Sequence, residues 1–183
     1  NLDCWFDASG ANNFTLSVSN VTRWIDKTGR GRDLIQATAG NQPIFSTNTR
    51  EVVFTGSGSQ FMTFSNIPSI TNSDYTIFVL EKRQSNTVPN YFIGGSNTGS
   101  FTLLYMGYNT TSNFFFDHYN NGTQLRIDNY TSVPLEPYRL WTMAYSSNLN
   151  TRDMYLNGIR YITIATSNDL LSWIGASVGR FWN

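Results

Sequence analysis

The chain has 183 residues, twelve Lys+Arg against twelve Asp+Glu and a formal net charge of zero, the dimensions of one domain without an electrostatic programme. Its densest basic run, Arg23, Lys27, Arg30 and Arg32, is interrupted by Asp26 and answered by Asp33, which excludes the basic stripe that a nucleic-acid partner requires. No apolar stretch approaches the ~18 residues of a membrane-spanning helix, and no charged-then-apolar signal segment opens the chain, so membrane insertion is excluded as well.

Taken in chain order, the apolar positions alternate with period two. Residues 2–7 (Leu2-Asp3-Cys4-Trp5-Phe6-Asp7) predict a first strand. Residues 21–45 break the alternation: Trp24, Asp26, Gly29, Gly31 and Pro43 supply too many turn formers for a strand, which predicts a long ordered loop pinned by Trp24 and Ile25. Short strands are then expected at residues 51–54, 75–80, 101–106, 113–119, 125–128 and 140–145, each bounded by Gly, Asn or Ser. Asn121-Gly122 and Asn157-Gly158 are the dipeptides a type I′ hairpin demands, because both central residues take positive φ. The one helical candidate is a turn or two around residues 168–171. No linker or repeat divides the chain, so residues 1–183 read as a single all-β, two-sheet antiparallel sandwich. Opening on Asn1, it is expected to be a processed product or part of a longer chain.

The surface is kept wet by amides and hydroxyls: twenty-one Asn, twenty-one Thr and nineteen Ser make up a third of the chain, while charged residues are only 13%. The interior draws on 28 aromatic residues. A single cysteine, Cys4, allows no internal disulfide, and with no histidine near it in sequence it reads as a small buried hydrophobe.

An ordered set of motifs resembles a known family. Leu2-x-x-Trp5-x-Asp7-Ala8-Ser9, Val21-Thr22-x-Trp24-x-Asp26-Lys27-Thr28-Gly29-x-Gly31-Arg32 and Gln42-Pro43 are similar to the entry pattern of laminin G-like, pentraxin-like domains of the concanavalin A-like lectin/glucanase superfamily. Val53-Phe54-Thr55-Gly56, Phe61-Met62-Thr63, Tyr75-Thr76-Ile77-Phe78-Val79, Trp141-Thr142-Met143, Met154-Tyr155-Leu156-Asn157-Gly158 and Ile174-Gly175 continue it in the right order. The resemblance implies a jelly-roll sandwich found in cell-surface, phage and large DNA virus virion proteins. It also implies that Trp5, Trp24, Asp26 and Asn157 are scaffold, with Asp26 accepting backbone N–H groups of its own turn and Gly29 and Gly31 taking positive φ. Such domains have a final strand after the Ile-Gly strand, whereas this chain stops at Gly179-Arg180-Phe181-Trp182-Asn183; the last strand is expected to be lacking or borrowed.

The superfamily includes glycoside hydrolases, and retaining hydrolysis needs two carboxyls ~5–5.5 Å apart. The three Glu (Glu51, Glu81, Glu136) have no acidic neighbour two to five residues away, so no catalytic residue is expected. The single histidine cannot form a two-histidine metal site, and Asp3, Asp7, Asp26 and Asp33 lie too scattered for a calcium motif, so no cofactor is expected and calcium stays an alternative without a motif behind it. The best ligand cluster is Asp117, His118 and Tyr119 with Arg126, Asp128 and Tyr130, brought together by the hairpin through Asn121-Gly122. Period two would place Gln124, Arg126, Asp128 and Tyr130 on one face, where amide, guanidinium, carboxylate and ring suit a sugar. Sequons at Asn13, Asn20, Asn109, Asn121 and Asn129 would mark exposed loops in a secreted protein. The expectation is a non-catalytic extracellular or virion-surface module whose partner is a glycan or cell-surface polysaccharide; the alternatives are an assembly domain of a virion capsid or fibre that docks on other virion or surface proteins and, third, a polysaccharide-cleaving enzyme.

Overall fold

The computed structural model describes residues 2–55, 59–66, 70, 73–83, 90–95, 102–108, 114–120, 123–130, 137–165 and 176–179; of residues 90, 102–103, 118–120 and 123–130 it describes the backbone course alone. In chain order the strands are β1 Phe14–Ser17, β2 Asn20–Trp24, β3 Leu34–Ile35, β4 Ile44–Ser46, β5 Glu51–Val53, β6 Met62–Phe64, β7 Tyr75–Glu81 and β8 Asn90–Gly94. They continue as β9 Thr102–Tyr108, β10 Phe114–Asn120, β11 Thr123–Tyr130, β12 Arg139–Ser146, β13 Thr151–Leu156, β14 Ile159–Ala165 and β15 Ser177–Val178.

Two antiparallel sheets form the sandwich, as the period-two alternation predicts. The smaller runs β14-β13-β12-β7, and the larger runs β11-β10-β9-β8-β15-β6-β3-β2-β4-β5 with β1 on β2. β12 shows why they stack: Arg139, Trp141, Met143 and Tyr145 are buried while the residues between them are not. Trp141, Met143 and Tyr145 meet Leu104, Met106, Tyr108, Phe114 and Phe116 of the larger sheet in the main core. The Phe114 and Trp141 rings stack at 3.8 Å and 7° between the layers. A second core gathers Phe14, Val21, Leu34, Phe45 and Met62, with Phe6 and Trp24 packed against it.

Two expectations are corrected. Residues 2–7 form no strand, because their backbone groups are taken up elsewhere: the Trp5 N–H donates to the Asp26 carboxylate at 3.0 Å and its carbonyl accepts from the Lys27 N–H at 2.9 Å. The predicted loop at residues 21–45 contains β2, β3 and β4, whose two to five residues each are too short for alternation to register between the turn formers. Trp24 pins this region as expected, its ring 5.7 Å from Phe6 and 5.4 Å from Phe14.

The scaffold roles implied for Asp26 and the two glycines are seen. Asp26 is buried and accepts the N–H groups of Thr28 at 3.0 Å and Arg32 at 3.4 Å and the Thr28 hydroxyl at 2.7 Å. Gly29 and Gly31 carry φ of 74° and 70°. At the predicted hairpin Leu156 pairs with Ile159, and Asn157 and Gly158 take φ of 51° and 80°. The Asn157 side chain also accepts the Leu140 N–H at 2.9 Å, tying the turn to β12. A Cβ on Gly158 would meet nothing within 4 Å, so Gly158→Ala tests the positive φ alone. It is expected to cost about 1–2 kcal/mol and to lower the melting temperature by a few degrees in a calorimetric scan.

The helical candidate at residues 168–171, Ile174-Gly175 and the stretch after Gly179 lie outside the described residues. The last described strand, β15, pairs inside the larger sheet between β6 and β8.

Candidate functional site

A cleft of about 1930 Å³ opens among the described residues. Its walls are residues 2–8, β5 and both faces of β7, with Tyr138 and Lys82 at one end. It exists because β7 is the edge of the smaller sheet and β5 the edge of the larger, and neither is paired on its outer side among the described residues. Ligand pockets that enclose a drug-sized molecule run to ~300–1,000 Å³, so this cleft has room for an extended ligand.

Two exposed aromatic rings stand on its walls, each with a cation over it. Trp5, 48% exposed, carries the Lys27 ammonium over its ring at 4.6 Å, and Lys27 is itself held by Asp7 at 2.8 Å. Tyr138, 46% exposed, donates its hydroxyl to Glu51 across the cleft and takes the Lys82 ammonium over its ring at 5.5 Å. Cys4, also on the wall, is half-buried; burial first, then the charges of Asp26 and Asp3, push its thiol up to about 11, so it is a protonated wall group at neutral pH.

Behind the Tyr138 end lies a buried polar cluster. The register of β7 and β12 sets Glu81 opposite Arg139. Glu81 accepts from Arg139 Nε at 2.7 Å, the Tyr108 hydroxyl at 2.7 Å and the Trp141 indole N–H at 3.1 Å. Burial, then Glu81, pushes the Tyr108 hydroxyl well above its ordinary range. Burial opposes the Arg139 charge, but Glu81 and Tyr108 together outweigh it and raise that pKa. Arg83, only 3% exposed, lies 4.4 Å over the Tyr108 ring, and burial lowers its pKa.

The carboxylates of the cleft are occupied. Asp7 accepts from Lys27 and from both the N–H and the hydroxyl of Ser9, which hold it down at about 2. The hydroxyl and N–H of Ser147, each 2.7 Å away, lower Asp74. Both Asp7 and Asp74 are thus held below the ordinary carboxyl range by the donors around them.

The cluster expected on β10 and β11 is only partly assembled. The hairpin register is the predicted one, with Tyr119 opposite Gln124 and Asp117 opposite Arg126, around a two-residue connection at Asn121-Gly122 that lies outside the described residues. His118 falls in the alternate set, opposite Leu125. A bulge between Phe114 and Phe115 pairs Asp128 with Phe115 but Tyr130 with Phe114, so Tyr130 leaves the set of Arg126 and Asp128. Asp117 itself is buried together with Phe115 and Tyr105, so it is not part of an accessible ligand face. The run Phe114-Phe115-Phe116 signals this, since consecutive apolar residues place bulk on both faces of a strand.

Of the sequons, Asn13 ends a short 3-10 turn (Ala11–Asn13) and Asn20 opens β2, both half-buried and neither in a long loop. Asn109 and Asn121 lie outside the described residues, and Asn129 sits on β11.

No family model and no curated protein matches the chain. Solved structures of similar architecture include the CBM40 of the Ruminococcus gnavus IT-sialidase, with 12% identity over 59% of this chain and 64% of that one at a TM-score of 0.49. The same module bound to α2,3-sialyllactose gives 10% identity, 58% and 63% coverage and a TM-score of 0.48. The carbohydrate-binding module CBM66 from Bacillus subtilis gives 14% identity, 66% and 78% coverage and a TM-score of 0.44. The match thus spans less than two thirds of the CBM40 module.

Proposed function

We propose that this domain is a non-catalytic recognition module that binds an extended glycan in the cleft beside β7. The observation that carries the proposal is the cleft itself, in which the exposed rings of Trp5 and Tyr138 stand among hydrogen-bonding groups fixed by Asp7, Lys27, Glu51 and Lys82. Sugar rings offer apolar faces and a rim of hydroxyls, which calls for aromatic platforms with oriented polar partners. Resemblance of the ordered motifs to laminin G-like domains supports a concanavalin A-like jelly roll at a cell or virion surface. On a glycan array the intact protein is expected to bind at least one saccharide class. Trp5→Ala and Tyr138→Ala should each weaken it about tenfold or more, the factor that corresponds to ~1.4 kcal/mol. An array on which the intact protein binds nothing would refute the reading.

One observation favours a second, assembly role. The outer edge of β7 is unpaired among the described residues, and Phe78 and Leu80 on the same strand are 65% and 70% exposed. A flat apolar edge is a template for strand addition from another chain. Concentration-dependent oligomers that Leu80→Lys dissolves support this role, whereas a monomer at all concentrations by light scattering speaks against it.

A further inference from the structure

Resting on the cleft as a glycan site, we infer that Arg83 receives an oxyanion of the ligand, a carboxylate or sulfate carried by the saccharide. Two guanidiniums, Arg83 and Arg139, face one carboxylate in the cluster behind Tyr138, which leaves one positive charge over. Arg139 accounts for the carboxylate: its Nε and a terminal nitrogen donate to the two Glu81 oxygens at 2.7 and 3.3 Å. Glu81 Oε1 also accepts from Tyr108 and Trp141, and neither Glu81 oxygen is bonded to Arg83. Arg83 is left with the face of the Tyr108 ring, while none of its three side-chain nitrogens has a hydrogen-bond acceptor among the described residues.

A buried guanidinium in this state is costly. It has given up its hydration, and a ring face returns only part of that, since its donors need acceptors in their own plane. Arg83 nevertheless lines the cleft, at the end of β7 where Lys82 and Tyr138 also stand. The three Arg83 nitrogens are themselves covered, so an anion reaches them only by displacing a neighbouring side chain, and it then meets a donor fork whose desolvation was completed on folding, its charge paired in a poorly screened environment. The planar fork matches two oxygens of a carboxylate or sulfate, which the hydroxyls of a neutral sugar do not imitate.

The test compares saccharides with and without the anionic group on the same sugar backbone: trigalacturonate against its methyl ester, and 6-sulfated against unsulfated lactose, titrated calorimetrically into the intact protein. The charged member of at least one pair is expected to bind tenfold or more tightly, and the pair that responds identifies the anion as carboxylate or sulfate. In Arg83→Met that ratio should collapse towards one, and in Arg83→Lys, which keeps the charge but loses the fork, it should fall partway. The lysine variant also serves if the methionine variant folds poorly. Equal binding of charged and neutral members by the intact protein, with binding retained, overturns the role of Arg83 and leaves the glycan cleft standing. So does a charge preference that survives in both variants. Should no saccharide bind at all, here or on the array, the cleft reading fails and this inference with it.

Discussion

Trp141→Ala is expected to lower stability by about 3–5 kcal/mol, the range for removing a fully buried large aromatic side chain. The indole is completely buried and stacked on Phe114 across the two layers, so its loss opens a hole where the sheets are held at their spacing. For a chain of this length each kcal/mol moves the melting temperature by ~2–4 °C, which gives a fall of roughly 6–20 °C by circular dichroism. Trp141→Phe is the milder change: it keeps a six-membered ring against Phe114 and loses the smaller indole ring with the N–H donated to Glu81 and Tyr108. Because Glu81 retains Arg139 and Tyr108 as donors, the phenylalanine variant should lose less than half as much.

Asp26→Ala is the second large effect, about 3 kcal/mol, since a hydrogen bond to a charged group contributes ~1.5–3 kcal/mol and several converge on this buried carboxylate. It ties the Trp5 N–H of the N-terminal wall of the cleft to the turn that carries Gly29 and Gly31. The loss should therefore appear twice, in the melting temperature and in weaker glycan binding as residues 2–8 come loose. Asp26→Asn keeps one acceptor oxygen for Trp5 and Thr28 but turns an amide towards the Arg32 N–H, so it should fall between wild type and alanine. The acid limb of stability carries the same signature. Burial raises the Asp26 carboxyl, yet the hydrogen bonds from Thr28, Trp5 and Arg32 together outweigh it and lower the pKa; Asp7 is lowered to about 2 by Lys27 and Ser9. Groups lowered by folding stabilise the protein above their unfolded pKa of ~3.9 and lose that contribution as pH falls through the folded value. Stability should hold at neutral pH and decline between about pH 4 and 2, with a shallower decline in Asp26→Asn; denaturant melts across that range check it.

What was legible in the sequence was local. Asn157-Gly158 can close a hairpin in essentially one way, and the Asp26 turn announces itself through two glycines at positive φ. Residues 2–7 misled because alternation reports which side chains are apolar, not where the backbone hydrogen bonds go, and here they go to Asp26 and Lys27. The β10–β11 register followed from its two-residue connection, but the bulge that displaces Tyr130 adds one residue without a local sequence mark. The cleft was out of reach for a different reason: residues 2–8, 51–53, 75–81 and 138 meet only when two sheet edges face each other, and nothing in any one segment encodes that meeting.

The central claim is the place of binding, and two-dimensional NMR of the uniformly labelled protein, titrated with the best saccharide from the array, tests it most directly. Amide shifts are predicted to concentrate in residues 2–8, 51–53, 75–83 and 138–140, on both sides of the β7 edge. Shifts confined to β10 and β11, with the cleft unperturbed, would contradict the account and return the binding site to the hairpin of Arg126 and Asp128.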